Sequence, residues 1–333
     1  MQRILFIAKK GQQYSGKGYV SSGLLNSAKL VVDMLRENGV DARFVQVVDN
    51  NDIDREVTQN HPDIVVIEAL WVVPEKFDIL YRLHPNVQWV IRIHSEIPFL
   101  AQEGIAVKWL FEYLQHQKVS IAFNSKDTLR DFRKLLDPER LLYLPNYFPL
   151  VSYERHSGKM DLHVGCFGAI RPLKNQLIQA MAAIQYTDLL GETLYFHMNA
   201  RVEGGQEVIK NLRSLFDNTR HTLVEHEWMS HRQFQHVLSL MDISMCVSLS
   251  ETFCLVAADS VSVGVPLVCS AEVPWASRLS VAETTDIRSI VDTMVRVTRF
   301  KGLTEYLNRR GLYSYNRRSK KIWLEFIKEE YGN

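Results

Sequence analysis

Short apolar segments alternate with amphipathic segments along almost all of this 333-residue chain. In its first half, five apolar runs predict strands at 4–8, 43–48, 64–67, 89–93 and 119–123. Continuous apolar runs of this length are typical of parallel strands that are covered on both faces. Strands that alternate with helices favour a parallel sheet with right-handed crossovers. We therefore expect an α/β protein.

The alternation stops at the proline-containing segment 144–149 and the polar stretch 154–161, and then begins again. Two prolines followed by a polar stretch are typical of a linker. The second series predicts strands at 163–167, 193–198, 221–224, 243–247 and 266–269. The chain is long enough for two domains of ordinary size. We expect a domain at 1–150, a second at 151–305 and a basic C-terminal helix at 306–333 that packs toward the first domain. Ligands of such sheets bind beyond the carboxyl ends of the strands.

Composition excludes a polyelectrolyte, because 39 Lys and Arg nearly balance 38 Asp and Glu and leave a net charge of +1. Affinity for nucleic acid or membranes would therefore need a local patch. The four cysteines form no Cys-x-x-Cys pair, which favours buried, reduced thiols over disulfides or zinc. No window reaches the roughly 18 apolar residues of a membrane span. The first apolar stretch is also short for a signal peptide, so we expect a cytoplasmic protein.

The segment 250–259, Ser-Glu-Thr-Phe-Cys-Leu-Val-Ala-Ala-Asp, carries the strongest functional signal. It follows an apolar strand and opens a predicted helix, whose first N–H groups lack partners inside the helix and can bind an anion. Glu251 and Asp259 are separated by seven residues and can lie on one side of a bound ligand. This combination suits a ligand that carries both phosphates and hydroxyls. The alternative is that Glu251 only compensates the helix dipole.

The same segment resembles the acidic-x7-acidic signature of retaining GT-B glycosyltransferases of the large family numbered four. The segment 164–175 resembles the strand and loop that bring a basic pair to the donor diphosphate in that family. Further similarities lie at 228–230, at 264–268, in the strand 89–94 and at the pair 145–146. The resemblance covers nearly the whole chain and is most specific at 163–270. It implies the GT-B fold, in which two Rossmann-like parallel-sheet domains face each other across a cleft and a C-terminal helix crosses back.

The resemblance also implies a role for each matching residue. Arg171 and Lys174 would neutralise the diphosphate, Glu251 would bind hydroxyls of the donor sugar, and His94 would touch the sugar or the phosphates. The implied donor-binding residues are Gly16, Gly18, Trp228, Phe253, Cys254, Leu255 and Asp259. Taken alone, Arg171 and Lys174 could be surface charges and His94 a structural histidine.

Two positions depart from the family pattern. Asp259 stands where the family usually has Glu, and its carboxylate reaches one methylene less far. Cys254 stands where Gly is usual, which narrows the space above the phosphates. The nucleoside-diphosphate sugar, with UDP favoured, is expected as a substrate. We expect no cofactor and no obligatory metal, because the histidines lie in no metal-ligand spacing.

The last predicted helix is strongly basic. Between 296 and 328 there are ten Lys or Arg and two Glu, with tyrosines and a tryptophan among the cations. Cations interleaved with aromatic residues suit contact with nucleic acid. The candidates for DNA contact are Arg309, Arg310, Arg317, Arg318, Lys320 and Lys321. The alternative is a docked helix with a solvated basic face, and the two are compatible.

The first half also resembles, less specifically, glycosyltransferases encoded by tailed phages, some of which modify hydroxylated or hydroxymethylated pyrimidines in DNA. DNA is therefore the first acceptor to consider. A glycan, lipid or small-molecule acceptor stays open and would be favoured by an exposed apolar and basic helix in the first domain. A non-catalytic protein that binds a nucleotide also stays open.

Overall fold

The computed structural model describes residues 2–10, 23–151, 161–200, 204–227 and 229–329. The chain divides into two compact units. Unit 1 is Met1–Pro149 together with Tyr315–Asn333, and unit 2 is Leu150–Ser314. Each unit is built around one parallel sheet, as the alternating sequence pattern predicted.

The sheet of unit 1 has six strands in the order β2-β1-β3-β4-β5-β6. The strands are β1 (Arg3–Lys9), β2 (Asp41–Val47), β3 (Ile64–Glu68), β4 (Gln88–Ile93), β5 (Val119–Phe123) and β6 (Leu141–Tyr143). The helices are α1 (Gly23–Glu37), α2 (Asp52–Asn60), α3 (Lys76–Leu83), α4 (Ile97–Leu100), α5 (Ala106–Tyr113) and α6 (Lys126–Phe132). All adjacent strands run parallel, so their carboxyl ends share one edge of the sheet.

Each strand of unit 1 buries both of its faces because alternate residues point to opposite sides. Leu5 and Ile7 belong to the core under α2, α3 and α5, whereas Ile4 and Phe6 belong to the core under α1. The second core also contains Trp323, whose ring centre lies 5.6 Å from that of Phe6. This double coverage explains why the strands read as continuous apolar runs.

The sheet of unit 2 has five parallel strands in the order β11-β10-β7-β8-β9. Its strands are β7 (Leu162–Gly165), β8 (Leu194–Asn199), β9 (Thr222–His226), β10 (Ile243–Cys246) and β11 (Leu267–Cys269). Its helices are α7 (Gln176–Leu190), α8 (Gln206–Asp217), α9 (His231–Ser239), α10 (Leu255–Ser262) and α11 (Ile287–Arg299). The loops after β7 and β10, two neighbouring strands, therefore emerge side by side at the carboxyl edge.

The last helix, α12 (Lys301–Glu329), contributes its residues up to Ser314 to unit 2 and those from Tyr315 onward to unit 1. In unit 1 the indole Nε1 of Trp323 donates to the carbonyl of Pro145 at 2.8 Å. The helix thus returns to the first domain, as the resemblance implied. Among the described residues, no helix combines the length and the apolar character that crossing a membrane requires.

Candidate active site

Two loops at the carboxyl edge of unit 2 are joined by hydrogen bonds. The N–H of Leu249 donates to the carbonyl of Leu173 at 2.8 Å, and Asn175 Nδ2 donates to the carbonyl of Val247 at 3.1 Å. Gln179 at the start of α7 bonds both loops, since its amide donates to the carbonyl of Lys174 at 2.8 Å and accepts from the N–H of Val247 at 2.9 Å. The loop after β7 is therefore held in register with the loop after β10.

This register brings Lys174 and Glu251 together. Nζ of Lys174 forms an ion pair with Oε1 of Glu251, and the hydroxyl of Ser248 donates to the same oxygen at 2.9 Å. The two charged side chains are 25% and 10% exposed. Burial works to lower the pKa of Lys174, but the carboxylate of Glu251 outweighs it and raises that pKa above the usual range. Lys174 is thus a fixed cation at the edge of the sheet.

Arg171 lies three residues before Lys174 in the same loop. Its backbone is extended, with φ −145° and ψ 149°, and it precedes the 3-10 turn Pro172–Lys174. Proline at the first position of the turn fits because its fixed φ suits a helical start. The side chain of Arg171 is half-buried. The loop after β7 therefore places two cations on one short turn.

The loop after β10 leads into α10, whose amino end lies at the carboxyl edge of the sheet. Cys254 caps this helix with φ 61° and ψ 89°, in the left-handed region. Glycine adopts this region without strain, whereas a residue with a side chain, such as Cys254, does not. A hydrogen bond with Cys246 and burial together raise the pKa of the Cys254 thiol well above its usual range. The thiol is therefore a neutral packing group. The helix begins at Leu255, and the N–H groups of its first residues lie at its amino end.

The residue before this cap is fixed by an aromatic contact. Phe253 is 1% exposed, and its ring centre lies 6.0 Å from that of Trp275. Trp275 Nε1 also donates to the carbonyl of Phe253 at 3.0 Å. The side chain and the carbonyl of Phe253 therefore both face the interior. The side chain of this residue cannot contact a ligand.

Asp259 lies one turn further along α10 and contacts α9. Its Oδ1 accepts from His231 Nε2 at 2.7 Å and from Gln235 Nε2 at 2.9 Å. Burial raises the pKa of Asp259, against the opposing effect of the His231 bond. The bond to Asp259 in turn raises the pKa of His231. An Asp–His pair therefore connects the two helices.

His94 follows β4 in unit 1 and belongs to a buried polar cluster. Its Nε2 bonds Oε2 of Glu68, and Arg92 Nη1 lies 3.1 Å from Oε1 of the same carboxylate. Glu68 and Arg92 are both fully buried. Burial would raise the pKa of Glu68, but Arg92 and His94 lower it below the usual range. Burial, assisted by Arg92, lowers the pKa of His94 against the effect of Glu68, so the imidazole is held neutral.

The same cluster ties together four strand ends of unit 1. Asn146 Oδ1 accepts from Arg92 Nη2 at 2.7 Å and from the hydroxyl of Ser27 at 2.8 Å. Asn124 Nδ2 lies 3.3 Å from Nδ1 of His94. The ring is therefore bonded through Nε2 to a carboxylate and through Nδ1 to an amide donor. This arrangement selects the tautomer with the proton on Nε2.

The structure thus brings the implied donor residues of unit 2 into two adjacent loops and the first turns of α10, while His94 lies in unit 1. Gly16, Gly18 and Trp228 lie outside the described residues.

The candidates for DNA contact all lie on α12. Four of them are exposed, namely Arg310, Arg317, Arg318 and Lys321, and Lys320 is half-buried. Arg309 is half-buried, and its Nη1 donates to the carbonyl of Val261 at 3.2 Å.

Several polar residues that the sequence analysis did not select take part in these clusters. Glu68 ends the apolar strand β3, and Arg92 interrupts the apolar strand β4. A charged residue in such an apolar run is the sequence feature that could have identified both as site residues. His231 directly follows Ser230, which caps α9 through a capping box. The sequence could therefore have predicted the start of this helix, but not the contact of His231 with Asp259.

An open cavity of about 760 Å³ lies beside this helix start, lined by Met229, Ser230, Arg232, Gln233, His236 and Val237. In the described part of the chain, no three His, Cys, Asp or Glu side chains are grouped so that they could hold a metal ion.

Solved structures with this architecture are glycosyltransferase-type proteins of very different sequence. Sucrose-phosphate synthase from Thermosynechococcus elongatus superposes with a TM-score of 0.69 at 14% identity, covering 100% of this chain and 98% of that one. A UDP-forming α,α-trehalose-phosphate synthase from Burkholderia vietnamiensis gives a TM-score of 0.69 at 11% identity, covering 98% and 97%. A TarM mutant from S. aureus, in complex with Fondaparinux, α-GlcNAc-glycerol and UDP, gives 0.61 at 12% identity.

The match to TarM covers 79% of this chain but only 55% of TarM. No protein-family model matches the sequence, and a comparison with curated protein sequences finds no match. At these identities the comparisons establish the fold: the two parallel-sheet units are those of the GT-B glycosyltransferases.

Proposed function

We propose that this chain is a retaining glycosyltransferase that moves a sugar from a nucleoside-diphosphate sugar to a hydroxyl acceptor. The observation that carries the proposal is the Lys174–Glu251 pair at the carboxyl edge of unit 2, beside the amino end of α10. A cation, a carboxylate and a helix amino end together match a ligand with phosphates and hydroxyls. The fold is that of the glycosyltransferases named above.

Each group has a part in this reaction. The N–H groups at the start of α10 and the cations Lys174 and Arg171 bind the diphosphate and stabilise the charge that develops on it as the sugar leaves. The bonds from Lys174 and Ser248 both end on Oε1 of Glu251. We assign Oε2 to hydroxyls of the donor sugar. UDP is the favoured nucleotide because UDP is bound to TarM and is formed by the trehalose-phosphate synthase.

The protonation state of His94 restricts which group of the donor it can contact. Its Nε2 bonds the carboxylate of Glu68, and its Nδ1 faces the amide of Asn124. A neutral ring of this tautomer accepts a hydrogen bond at Nδ1 and carries no positive charge. Since both ring nitrogens have protein partners and the ring carries no positive charge, we assign His94 to van der Waals contact with the donor sugar rather than to the diphosphate.

A donor screen tests the proposal. UDP-, GDP- and ADP-sugars are each added to the protein, and both thermal stabilisation and slow hydrolysis without acceptor are measured. Binding of one donor family stabilises the fold by mass action. Stabilisation without any hydrolysis would indicate a non-catalytic nucleotide-binding protein, and no stabilisation by any donor would contradict the proposal.

Two features of the reaction are part of the same proposal. We expect the product linkage to keep the anomeric configuration of the donor, which proton NMR of the product reports directly. We also expect activity in excess EDTA, because Lys174 and Arg171 supply the positive charge that a metal ion would otherwise bring to the diphosphate. Inversion, or complete loss of activity in EDTA with recovery on adding Mg²⁺, would refute the corresponding feature.

As acceptor we propose a hydroxylated or hydroxymethylated pyrimidine in DNA, of the kind modified by phage enzymes. Exposed Arg317, Arg318 and Lys321 support this choice because cations that contact phosphates give affinity without regard to sequence. A base must leave the stack before an enzyme can act on it. The test is sugar transfer to duplexes and single strands that contain 5-hydroxymethylcytosine or 5-hydroxycytosine.

A glycan, lipid or small-molecule acceptor is the alternative, and unit 1 shows the apolar half of the exposed apolar and basic helix that would favour it. Helix α5 in unit 1 exposes Val107 (52%) and Phe111 (46%). Its neighbouring cation, Lys108, lies 3.5 Å from Glu112, so this face is apolar but not net basic. Transfer to a lipid-linked or free sugar acceptor, with no transfer to either modified DNA, would select this class.

A further inference from the structure

A second cavity lies in unit 1 and is lined by residues of α3 and of the segment between α5 and β5. Its volume of about 340 Å³ is within the range of sites that bind small molecules. Buried Phe77, Trp89 and Val119 form its floor, and the remaining lining residues are exposed or half-buried and form its rim. The ring centres of Phe77 and Trp89 lie 5.6 Å apart at an interplanar angle of 75°. A floor with two aromatic rings suits a flat, apolar ligand.

The indole N–H of Trp89 is a buried donor without a partner. Trp89 is 1% exposed, and its Nε1 makes no hydrogen bond to any described residue. By contrast, the indoles of Trp71, Trp275 and Trp323 each donate to a backbone carbonyl, at 3.0, 3.0 and 2.8 Å. A buried donor that has lost its bonds to water and gained none in the protein costs free energy. Because Trp89 lines the cavity, a ligand there can supply the missing acceptor.

The rim of the cavity carries more positive than negative charge. Its cations are Arg82 and Lys118, and its one carboxylate, Asp78, already lies 3.2 Å from Nδ1 of His116. Arg82 Nε donates to the carbonyl of Asp78 at 3.1 Å, while its two terminal nitrogens make no bond to a described residue. Nζ of Lys118 donates to the carbonyl of Pro85, which occupies one of its three N–H groups. The rim therefore favours a ligand that carries negative charge.

The cavity lies at the opposite edge of the sheet from His94. Trp89 is the second residue of β4 and Val119 is the first of β5, so both stand at the amino ends of their strands. His94 follows the carboxyl end of β4, five residues after Trp89, and this corresponds to roughly 16 Å of extended strand. A ligand in the cavity is therefore separate from the edge of the sheet that carries His94.

We infer that this cavity is a binding site for a small heteroaromatic carboxylate. The flat ring packs on Phe77 and Trp89, and an acceptor atom in the ring receives the indole N–H of Trp89. The carboxylate lies at the rim, where the guanidinium of Arg82 and the ammonium of Lys118 bind it through charge-assisted hydrogen bonds. The site needs no nucleotide, so it stands independently of the proposed function.

A titration followed by ¹H–¹⁵N correlation NMR tests the site, because each indole N–H gives its own signal. The probes are isomeric quinoline carboxylates, and Trp89→Phe serves to identify the Trp89 signal. We expect the best isomer to move this signal downfield. The naphthoate of the same geometry lacks the ring acceptor and the matching quinoline carboxamide lacks the charge, so each should bind about tenfold more weakly. A Trp89 signal that no isomer moves at millimolar concentration would overturn the inference.

Variants of the rim test the charge without disturbing the buried floor. Arg82→Gln and Lys118→Met should each weaken binding of the quinoline carboxylate about tenfold and leave binding of the carboxamide unchanged. Arg133→Gln removes an exposed cation of unit 1 that does not line the cavity, and it is the matched control that should change neither affinity. Equal affinity for the acid and the carboxamide, or equal weakening by all three variants, would overturn the assignment of an anionic ligand. Equal affinity for the naphthoate would overturn the role of the Trp89 N–H.

Discussion

Nζ of Lys174 and Oε1 of Glu251 form an ion pair between the loops that follow β7 and β10. Each of these residues has its own partner in the proposed donor, the diphosphate for Lys174 and the sugar for Glu251. Before the donor binds they compensate each other. The partly exposed pair therefore keeps Lys174 charged and both side chains ordered, so less ordering is needed when the donor binds.

Replacing Arg171 or Lys174 should weaken binding of UDP far more than binding of uridine. The interaction that is lost is with phosphate, and a hydrogen bond to a charged group contributes about 1.5–3 kcal/mol, roughly 10- to 100-fold in affinity. Calorimetric titration of Arg171→Ala and Lys174→Met with both ligands measures this. Lys210→Ala, which removes an exposed lysine of α8, is the control and should change neither affinity. Equal weakening of UDP and uridine would remove these residues from the phosphate site.

Glu251→Gln should reduce kcat by at least tenfold while the donor KM changes little. A carboxylate that acts on the sugar during transfer contributes to the transition state rather than to ground-state binding. Steady-state kinetics with the donor chosen by the screen separate the two constants. Ser248→Ala removes the other partner of the same oxygen and should have a much smaller effect. Full turnover in Glu251→Gln would show that the carboxylate only supports the loop.

Both sheets could be predicted from the sequence because their strands are covered on both faces and read as apolar runs. Elements without a clear hydrophobic periodicity were harder to predict. Strand β6 has only three residues, too few to show a pattern, and α11 was not assigned although Asp286 caps it. Residue spacing identified the acidic segment, but it could not show that Lys174 meets Glu251. That contact depends on Asn175 and Gln179, which join loops about 70 residues apart.

Cys254→Gly should be more stable than Cys254→Ala. Cys254 has φ 61°, where a residue with a side chain is strained by roughly 1–2 kcal/mol and glycine is not. Cys269 provides the matched comparison, since it is also buried but lies in the regular strand β11. There the order should reverse, with Cys269→Ala more stable than Cys269→Gly, because glycine in a strand loses more conformational entropy. Thermal unfolding of the four variants tests this, and the same order at both positions would contradict the argument.

The contribution of His231 to stability should decrease as the pH rises. Its pKa is raised in the folded protein by the bond to Asp259, so the folded state holds the proton more tightly than the unfolded state does. This stabilisation is fully present below about pH 6.5, the usual pKa of histidine, and is lost as the pH rises through the folded pKa. Wild-type protein should therefore exceed His231→Gln in unfolding free energy by more at pH 6 than at pH 8. Denaturant titrations at both pH values measure the difference, and a constant gap would show that the bond does not depend on the charge of the imidazole.

Removing Arg317 and Arg318 together should weaken DNA binding and make it less dependent on salt. Both side chains are exposed on α12, and each cation that contacts a phosphate adds about 0.9 to the slope of log affinity against log salt. Arg317→Ala/Arg318→Ala should therefore reduce the slope by up to about 2. Arg133→Ala/Lys134→Ala removes the same charge from another exposed part of unit 1 and is the matched control. If both double variants lowered the slope equally, binding would reflect net charge alone, and α12 would lose its role as a specific DNA contact. A wild-type protein without measurable DNA affinity at low salt would return the acceptor to the glycan, lipid or small-molecule class.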